Sequence, residues 1–163
     1  MELFNAVQPI WVVNDYIWSR LKEMSPQLEN MWGDVTPFFP VNDSTSGTSQ
    51  WKGKPYFIYN QAFRVEHKMY AHKKSTFIYS LRSTTDQLLP LSQAFQKIID
   101  RQDDAAADVN AFNNARAGTD LYCPVTFHSF EIYQNEPGEP RDSSTAPYVV
   151  SNFMVVAKYH MID

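Results

Sequence analysis

The chain has 163 residues and a formal net charge of −4, and 44% of its residues are hydrophobic and 15% aromatic. This length and composition exclude a disordered chain and predict a single domain over residues 1–163. Basic residues are scattered along the acidic chain, which argues against direct DNA binding, and the single cysteine, Cys123, excludes an internal disulfide and favours a reducing compartment.

The N-terminal region carries Glu2 and lacks the basic segment of a secretory signal or transit peptide, so we expect it to belong to the mature protein. No stretch approaches the roughly 20 apolar residues that cross a bilayer, so no membrane partner is expected. From Pro9 onward, apolar residues recur at steps of three and four. This pattern predicts an amphipathic helix that ends at Ser25 and Pro26.

Residues 35–41, VTPFFPV, are rich in strand-forming side chains. Because Pro37 and Pro40 cannot donate to a strand ladder, we expect an edge strand or an extended arm. A polar loop follows at residues 42–54, and its length is typical of a mobile or functional segment.

Part of this loop, SGTSQWKGKP, comes close to the phosphate-binding pattern G-x-x-x-x-G-K-[ST]. Gly47 and Gly53 are one residue too far apart, and Pro55 replaces the hydroxyl residue after Lys54. Proline supplies neither a magnesium ligand nor an N–H donor, and the next segment reads as a strand rather than a helix. A nucleotide-binding enzyme is therefore an alternative that the spacing disfavours.

The middle of the chain predicts two strands, at residues 56–63 and 76–81, that are covered on both faces and joined by a polar connection. A second helix follows, capped by Thr84, Thr85 or Asp86. Pro90 should lie in or near its first turn, because deeper in a helix proline costs about 3 kcal/mol.

A short third helix is expected after Asp103 or Asp104, with Gly118 as its stop. The C-terminal part predicts a long β-hairpin whose strands start at Pro124 and Pro147 and whose polar connection covers residues 135–147. The order of elements predicts an α+β fold with helices packed on a mostly antiparallel sheet.

Few residues of the sequence are candidates for metal binding or catalysis. His128 and His160 lie on the two hairpin strands and could approach each other, but with no third ligand at a metal-like spacing we interpret them as structural. His67 and His72 are five residues apart and face different ways on a helix or a strand. Cys123 has no nucleophile motif and reads as a small core residue.

The densest acidic cluster contains Asp100, Asp103, Asp104 and Asp108. Such carboxylates can hold magnesium or act as acid and base, but we interpret them as the solvated, capped end of a helix. The sequence thus predicts no catalytic residues, no metal and no cofactor.

Two polar loops carry side chains suited to protein contacts, since aromatic and arginine residues are enriched where proteins bind. The alternative for each loop is a surface segment without a partner. The candidate assembly-interface residues are Trp51, Lys52 and Lys54 in the first loop, and Glu139, Arg141 and Asp142 in the second.

Several local patterns occur together: the opening helix IWVVNDYIWSRL, PFFPV leading to GKPYFIYN, the strand TFIYSLRS before LSQAFQKIIDRQD, the ADVNAF helix, and the hairpin from FHSFEIYQ to YVVSNFMVVAKYHM. This order resembles the tail terminator, or tail completion, proteins of long-tailed bacteriophages, especially those with contractile tails. The resemblance covers nearly the whole chain and is a pattern of elements rather than one motif.

The resemblance implies a tail-terminator-like α+β fold and a structural, non-catalytic role in the virion tail and neck, after assembly in the host cytoplasm. Its members form a hexameric ring on the head-proximal end of the tail tube, stop tube growth and join the tail to the neck. Expected partners are other copies of the chain, the tail tube protein, and neck, connector or sheath proteins, with DNA only passing through the lumen.

Three alternatives stay open beside the resemblance. One is another neck or head-completion protein of the virion, and a second is a cellular binding module of ferredoxin-like type that does not assemble. The third is a small-molecule or nucleotide-binding enzyme that would use Gly47, Gly53 and Lys54.

Overall fold

A computed structural model describes residues 7–41, 54–64, 72–101, 103–141 and 148–162, without the side chains of 62–64, 72, 85, 103, 134–141 and 148–149. These residues form four helices and five strands, which confirms the predicted α+β class. In chain order they are α1 (Pro9–Met24), α2 (Gln27–Trp32), β1 (Phe38–Pro40), β2 (Tyr56–Arg64), β3 (His72–Ser83), α3 (Thr85–Ile99), α4 (Asp103–Asn114), β4 (Val125–Arg141) and β5 (Tyr148–Met161).

The strands form one sheet in the order β1-β2-β3-β5-β4. Only β1 and β2 are parallel, and the other three pairs are antiparallel, so the sheet is mostly antiparallel as predicted. β1 occupies one edge and has three residues, which confirms the edge strand expected from its prolines. The long hairpin of β4 and β5 occupies the other edge.

The helices build the core on one face of this sheet. The ring of Phe95, on α3, lies 4.5 Å from Phe153 of β5, 5.5 Å from Tyr79 of β3 and 5.7 Å from Phe57 of β2, measured between centroids. Helix α1 reaches the same face, where Tyr79 donates a hydrogen bond to Asn14 at 2.8 Å. Buried aromatic area of this kind dominates the stability of a small domain.

The structure adds detail to the sequence-based expectations in three places. The segment after Pro26 forms the unpredicted helix α2, which buries Leu28 and ends at Gly33 with φ of 59°, where glycine carries no steric penalty. Pro90, expected in or near the first turn of α3, is its sixth residue and lies in the second turn. Strand β4 continues to Arg141, so the hairpin connection covers residues 142–147 instead of 135–147.

The two central strands are not covered equally on both faces, as the sequence suggested. Along β3, fully buried side chains alternate with half-buried ones from Ser75 to Ser83. Phe77 and Leu81 are fully buried against the helices, whereas Ile78 and Arg82 on the other face are only partly covered. This second face, which we call the open face, is where the candidate interface lies.

Candidate assembly interface

The two segments predicted to make contacts lead to the same end of the sheet. Because neighbouring strands are antiparallel, the starts of β2 and β5 meet the ends of β3 and β4. The register places Tyr56, Arg82, Val150 and Glu139 in one row across these four strands. We call this the loop end, since residues 42–54 precede β2 here and residues 142–147 join β4 to β5 here.

The six candidate residues have different positions relative to this end. Lys54 lies just before β2, and Glu139 and Arg141 lie on β4 opposite Val150 and Tyr148, as backbone positions of a strand rather than of the predicted loop. The side chains of Glu139 and Arg141 are outside the described residues. Trp51, Lys52 and Asp142 fall outside the described residues altogether.

An aromatic cluster occupies the open face beside Lys54. Tyr56 alternates with Phe57, which packs on the helices, so Tyr56 faces the other way. Its ring centroid lies 6.3 Å from that of Phe39 on β1, and Phe39 lies 6.1 Å from Trp32 at the end of α2. We call Trp32, Phe39 and Tyr56 the aromatic corner.

Two cations and one hydrogen bond belong to this aromatic corner. The Lys54 ammonium lies 5.1 Å from the centroid of the Trp32 ring, and the Arg82 guanidinium carbon lies 5.9 Å from that of Tyr56. The Trp32 indole N–H donates to the Pro55 carbonyl at 2.8 Å, which fixes the ring against the start of β2. Tyr56 itself is buried, and with Ile58 it forms a small cluster against which Trp32 and Phe39 pack. A cation–π contact contributes about 0.5–1 kcal/mol at an exposed site and more where the groups are desolvated.

The rest of the open face contains both apolar and polar side chains. One row across the sheet contains Asn60, Ile78, Met154 and Tyr133, and Tyr133 is 50% exposed. The Tyr133 hydroxyl donates to Glu131 at 2.9 Å, and this hydrogen bond raises the pKa of the phenol. Apolar side chains bordered by polar ones are the composition expected of a protein contact surface.

A cleft of about 330 Å³ lies on the helix side, between the start of α1, β1 and the turn after α4. Arg116 donates to Asp15 at 2.8 Å and to the Leu121 carbonyl at 2.8 Å, so its guanidinium is held by two partners. Burial raises the pKa of the Tyr59 phenol, which lines the cleft with Trp11. The described lining contains no cysteine, serine or histidine nucleophile beside a base.

The acidic cluster and Cys123, the other residues considered for catalysis, make contacts typical of structural residues. Asp108 accepts hydrogen bonds from Arg101 at 3.2 Å and from Tyr16 at 3.4 Å, whereas Asp100 and Asp104 are exposed at helix ends. Cys123 is fully buried in the core, and burial raises the pKa of its thiol to about 11. A thiol that stays protonated is a poor nucleophile, so the interpretation as a core residue is confirmed.

The hairpin histidines do approach each other, as their positions suggested. His128 Nε2 and His160 Nδ1 are 2.6 Å apart, near the end of the sheet opposite the loop end. The sequence analysis compared His72 only with His67, because the strand register that places its backbone opposite His160 cannot be read from spacing along the chain.

Comparison with known proteins identifies no family, since no protein-family model and no curated protein matches the chain. Among the side chains that the structure describes, no group of three or more His, Cys, Asp or Glu residues is placed to hold a metal ion. Over the described residues, no helix has both the length and the apolar character needed to cross a membrane. A functional proposal for this chain therefore rests on its fold and its surfaces.

Proposed function

We propose that this chain is a structural protein of a phage virion that caps the head-proximal end of the tail tube as a ring of about six copies. The ring stops tube growth and joins the tail to the neck, without catalysis or a cofactor. Support comes from the α+β class, with three helices on a mostly antiparallel sheet and a long terminal hairpin, which agrees with the resemblance read from the sequence.

The observation that carries the proposal is the position of the contact segments. The first segment enters β2 and the second joins β4 to β5 at the loop end, next to an aromatic corner that α1, α3 and α4 do not cover in the described part of the chain. A growing tube offers each new ring an unpaired set of loops or edges, so a terminator needs one docking side and must lack the other. Contact segments that join the sheet at one end suit such one-sided docking.

Ring closure adds a second requirement. A closed ring of identical subunits needs heterologous contacts, in which one patch meets a different patch on the next copy. The open face and the cleft beside Arg116 lie on opposite sides of the sheet near β1. They offer two unlike surfaces on one subunit, as a heterologous contact requires.

The function is tested by a tube-growth assay with the tail tube protein of the same phage. We expect added protein to shorten the tubes seen by electron microscopy and to bind at one tube end only. Tubes of unchanged length with no bound cap would contradict the proposal. A protein that binds the connector but leaves tube growth unchanged would instead be another neck or head-completion protein.

Two variants test whether the first contact segment is involved. Trp51→Ala and Lys54→Ala should fold as wild type, judged by circular dichroism, and should weaken tube capping. Lys97→Ala removes an exposed lysine from α3, on the helix side of the sheet, and is the matched control that should cap normally. An unfolded Trp51→Ala variant would show that Trp51 is a core residue and not a contact residue.

A further inference from the structure

The cleft beside Arg116 combines aromatic walls with an excess of negative charge. Trp11 and Tyr59 line it, and both side chains are only partly buried. Arg116 is the one cation of the described lining, and Asp15 balances its charge by accepting its hydrogen bond at 2.8 Å. Asp120 also lines the cleft and is exposed, so its carboxylate is the charge that remains.

These groups suit a cationic side chain. An aromatic ring attracts an ammonium or guanidinium group over its face, and a carboxylate can pair with the same group. Arg116 already shows this arrangement, because its guanidinium carbon lies 4.7 Å from the centroid of the Phe112 ring while it binds Asp15. Burial is the main cause of the raised pKa of Tyr59, and the negative charge of Asp15 raises this pKa further. The field inside the cleft therefore favours a positive charge.

The open face of the same chain carries a pair of lysines. Lys74 and Lys158 are direct partners in the β3–β5 ladder, and like charges directly opposite each other are destabilising. By backbone register their row continues with Arg64 on β2 and Ser129 on β4, so it contains no acidic position. Lys158 is exposed and points away from the helices, since the residues on either side of it are buried in the core.

We propose that the cleft of one copy binds Lys158 from the open face of a second copy, and that this contact repeats around the ring. The inference rests on the proposed ring and names the two patches that close it. The cleft and the lysine pair are opposite in charge and lie on opposite sides of the sheet, as a heterologous contact requires. Asp120 then supplies a partner for a lysine pair that is unfavourable in the single chain.

Charge reversal at either patch tests this contact in the full chain. Asp120→Lys and Lys158→Glu each place like charges at the contact, so each should weaken self-association by at least about tenfold, measured by light scattering over a concentration series. Asp100→Lys and Lys97→Glu make the same changes of charge at exposed positions outside the cleft and the open face, and they should assemble as wild type. Circular dichroism establishes that each variant folds.

Mixing the two contact variants is the sharper measurement. In a ring that alternates Asp120→Lys and Lys158→Glu subunits, every contact again joins unlike charges, so the mixture should recover the particle mass that neither variant reaches alone. The milder variants Asp120→Asn and Lys158→Gln only remove a charge. They should weaken association in the same direction by a smaller factor, and they replace a charge-reversed variant that does not fold.

Three results would overturn this contact and leave the ring standing: wild-type assembly by either folded charge-reversed variant, no recovery of mass in the mixture, or an equal loss in Asp100→Lys or Lys97→Glu. A wild-type chain that stays monomeric, alone and with the tail tube protein, would overturn the ring and the contact together. The two failures are therefore distinguished by whether the wild-type chain assembles.

Discussion

Two asparagine side chains on α4 form paired hydrogen bonds with the backbone just before and at the start of β4, in the way that a neighbouring strand pairs with a strand. Asn110 donates to the Phe127 carbonyl at 2.9 Å and accepts from the Phe127 N–H at 2.8 Å. Asn113 does the same for Cys123, at 2.6 Å and 3.2 Å, and is fully buried. These side chains bind backbone groups at an edge of the sheet, where no further strand is present to pair with them.

We therefore predict that Asn113→Ala lowers the free energy of unfolding by about 1–3 kcal/mol, because it leaves the buried Cys123 N–H without its partner and removes one of the two hydrogen bonds that the Cys123 carbonyl accepts. The adjacent Asn114→Ala is the matched control, since Asn114 is exposed at the end of the same helix. Denaturant unfolding of the two variants checks the difference. Equal stability of Asn113→Ala and wild type would show that water replaces both hydrogen bonds.

Single residues were predictable where their role depends on local chemistry. The sequence correctly assigns Cys123 to the core, and Thr84, one of its three candidate caps for α3, is the N-cap, where the Thr84 N–H donates to Gln87 at 3.3 Å. It could not predict that Lys54 lies over Trp32, because this contact joins two elements more than 20 residues apart. Contacts of that kind depend on the packing of α2 against β2.

At the scale of elements, α3 tolerates a proline in its second turn. Pro90 has no N–H to bond the Asp86 carbonyl, and both residues are exposed, so water can reach the carbonyl. Capping at Thr84 and the apolar side chains that face the sheet stabilise the helix before Pro90, although the proline removes one backbone hydrogen bond.

We predict that Pro90→Ala raises the free energy of unfolding by about 1–3 kcal/mol, since a hydrogen bond is restored and a steric clash is removed. Greater freedom of the unfolded chain offsets about 0.4–1 kcal/mol of this gain. Gln93→Ala, at an exposed position of the same helix, controls for helix propensity. A Pro90→Ala variant less stable than wild type would mean that the proline fixes the start of the helix.

The terminal hairpin shows why the end of a strand was hard to predict. Pro137, Gly138 and Pro140 indicated a loop, yet pairing with β5 continues to Arg141. Register shifts on either side of Glu136 absorb the extra residues of β4. Local composition contains no information about such shifts, because they depend on the partner strand.

At the scale of the whole molecule, the α+β class and the mostly antiparallel sheet followed from the order of periodic segments. The relative positions of segments that are distant in the sequence did not follow from this order. That the segment leading into β2 and the connection between β4 and β5 meet the sheet at one end depends on the strand order β1-β2-β3-β5-β4. A single sequence gives the elements but not which strand pairs with which.

The proposed ring is tested most directly by the solution mass of the full chain. Light scattering is measured over a concentration series, alone and with the tail tube protein of the same phage. We predict a particle of about six copies, at high concentration or when tube protein is added, because closed rings form from one repeated heterologous contact. A strict monomer under every one of these conditions would contradict the account.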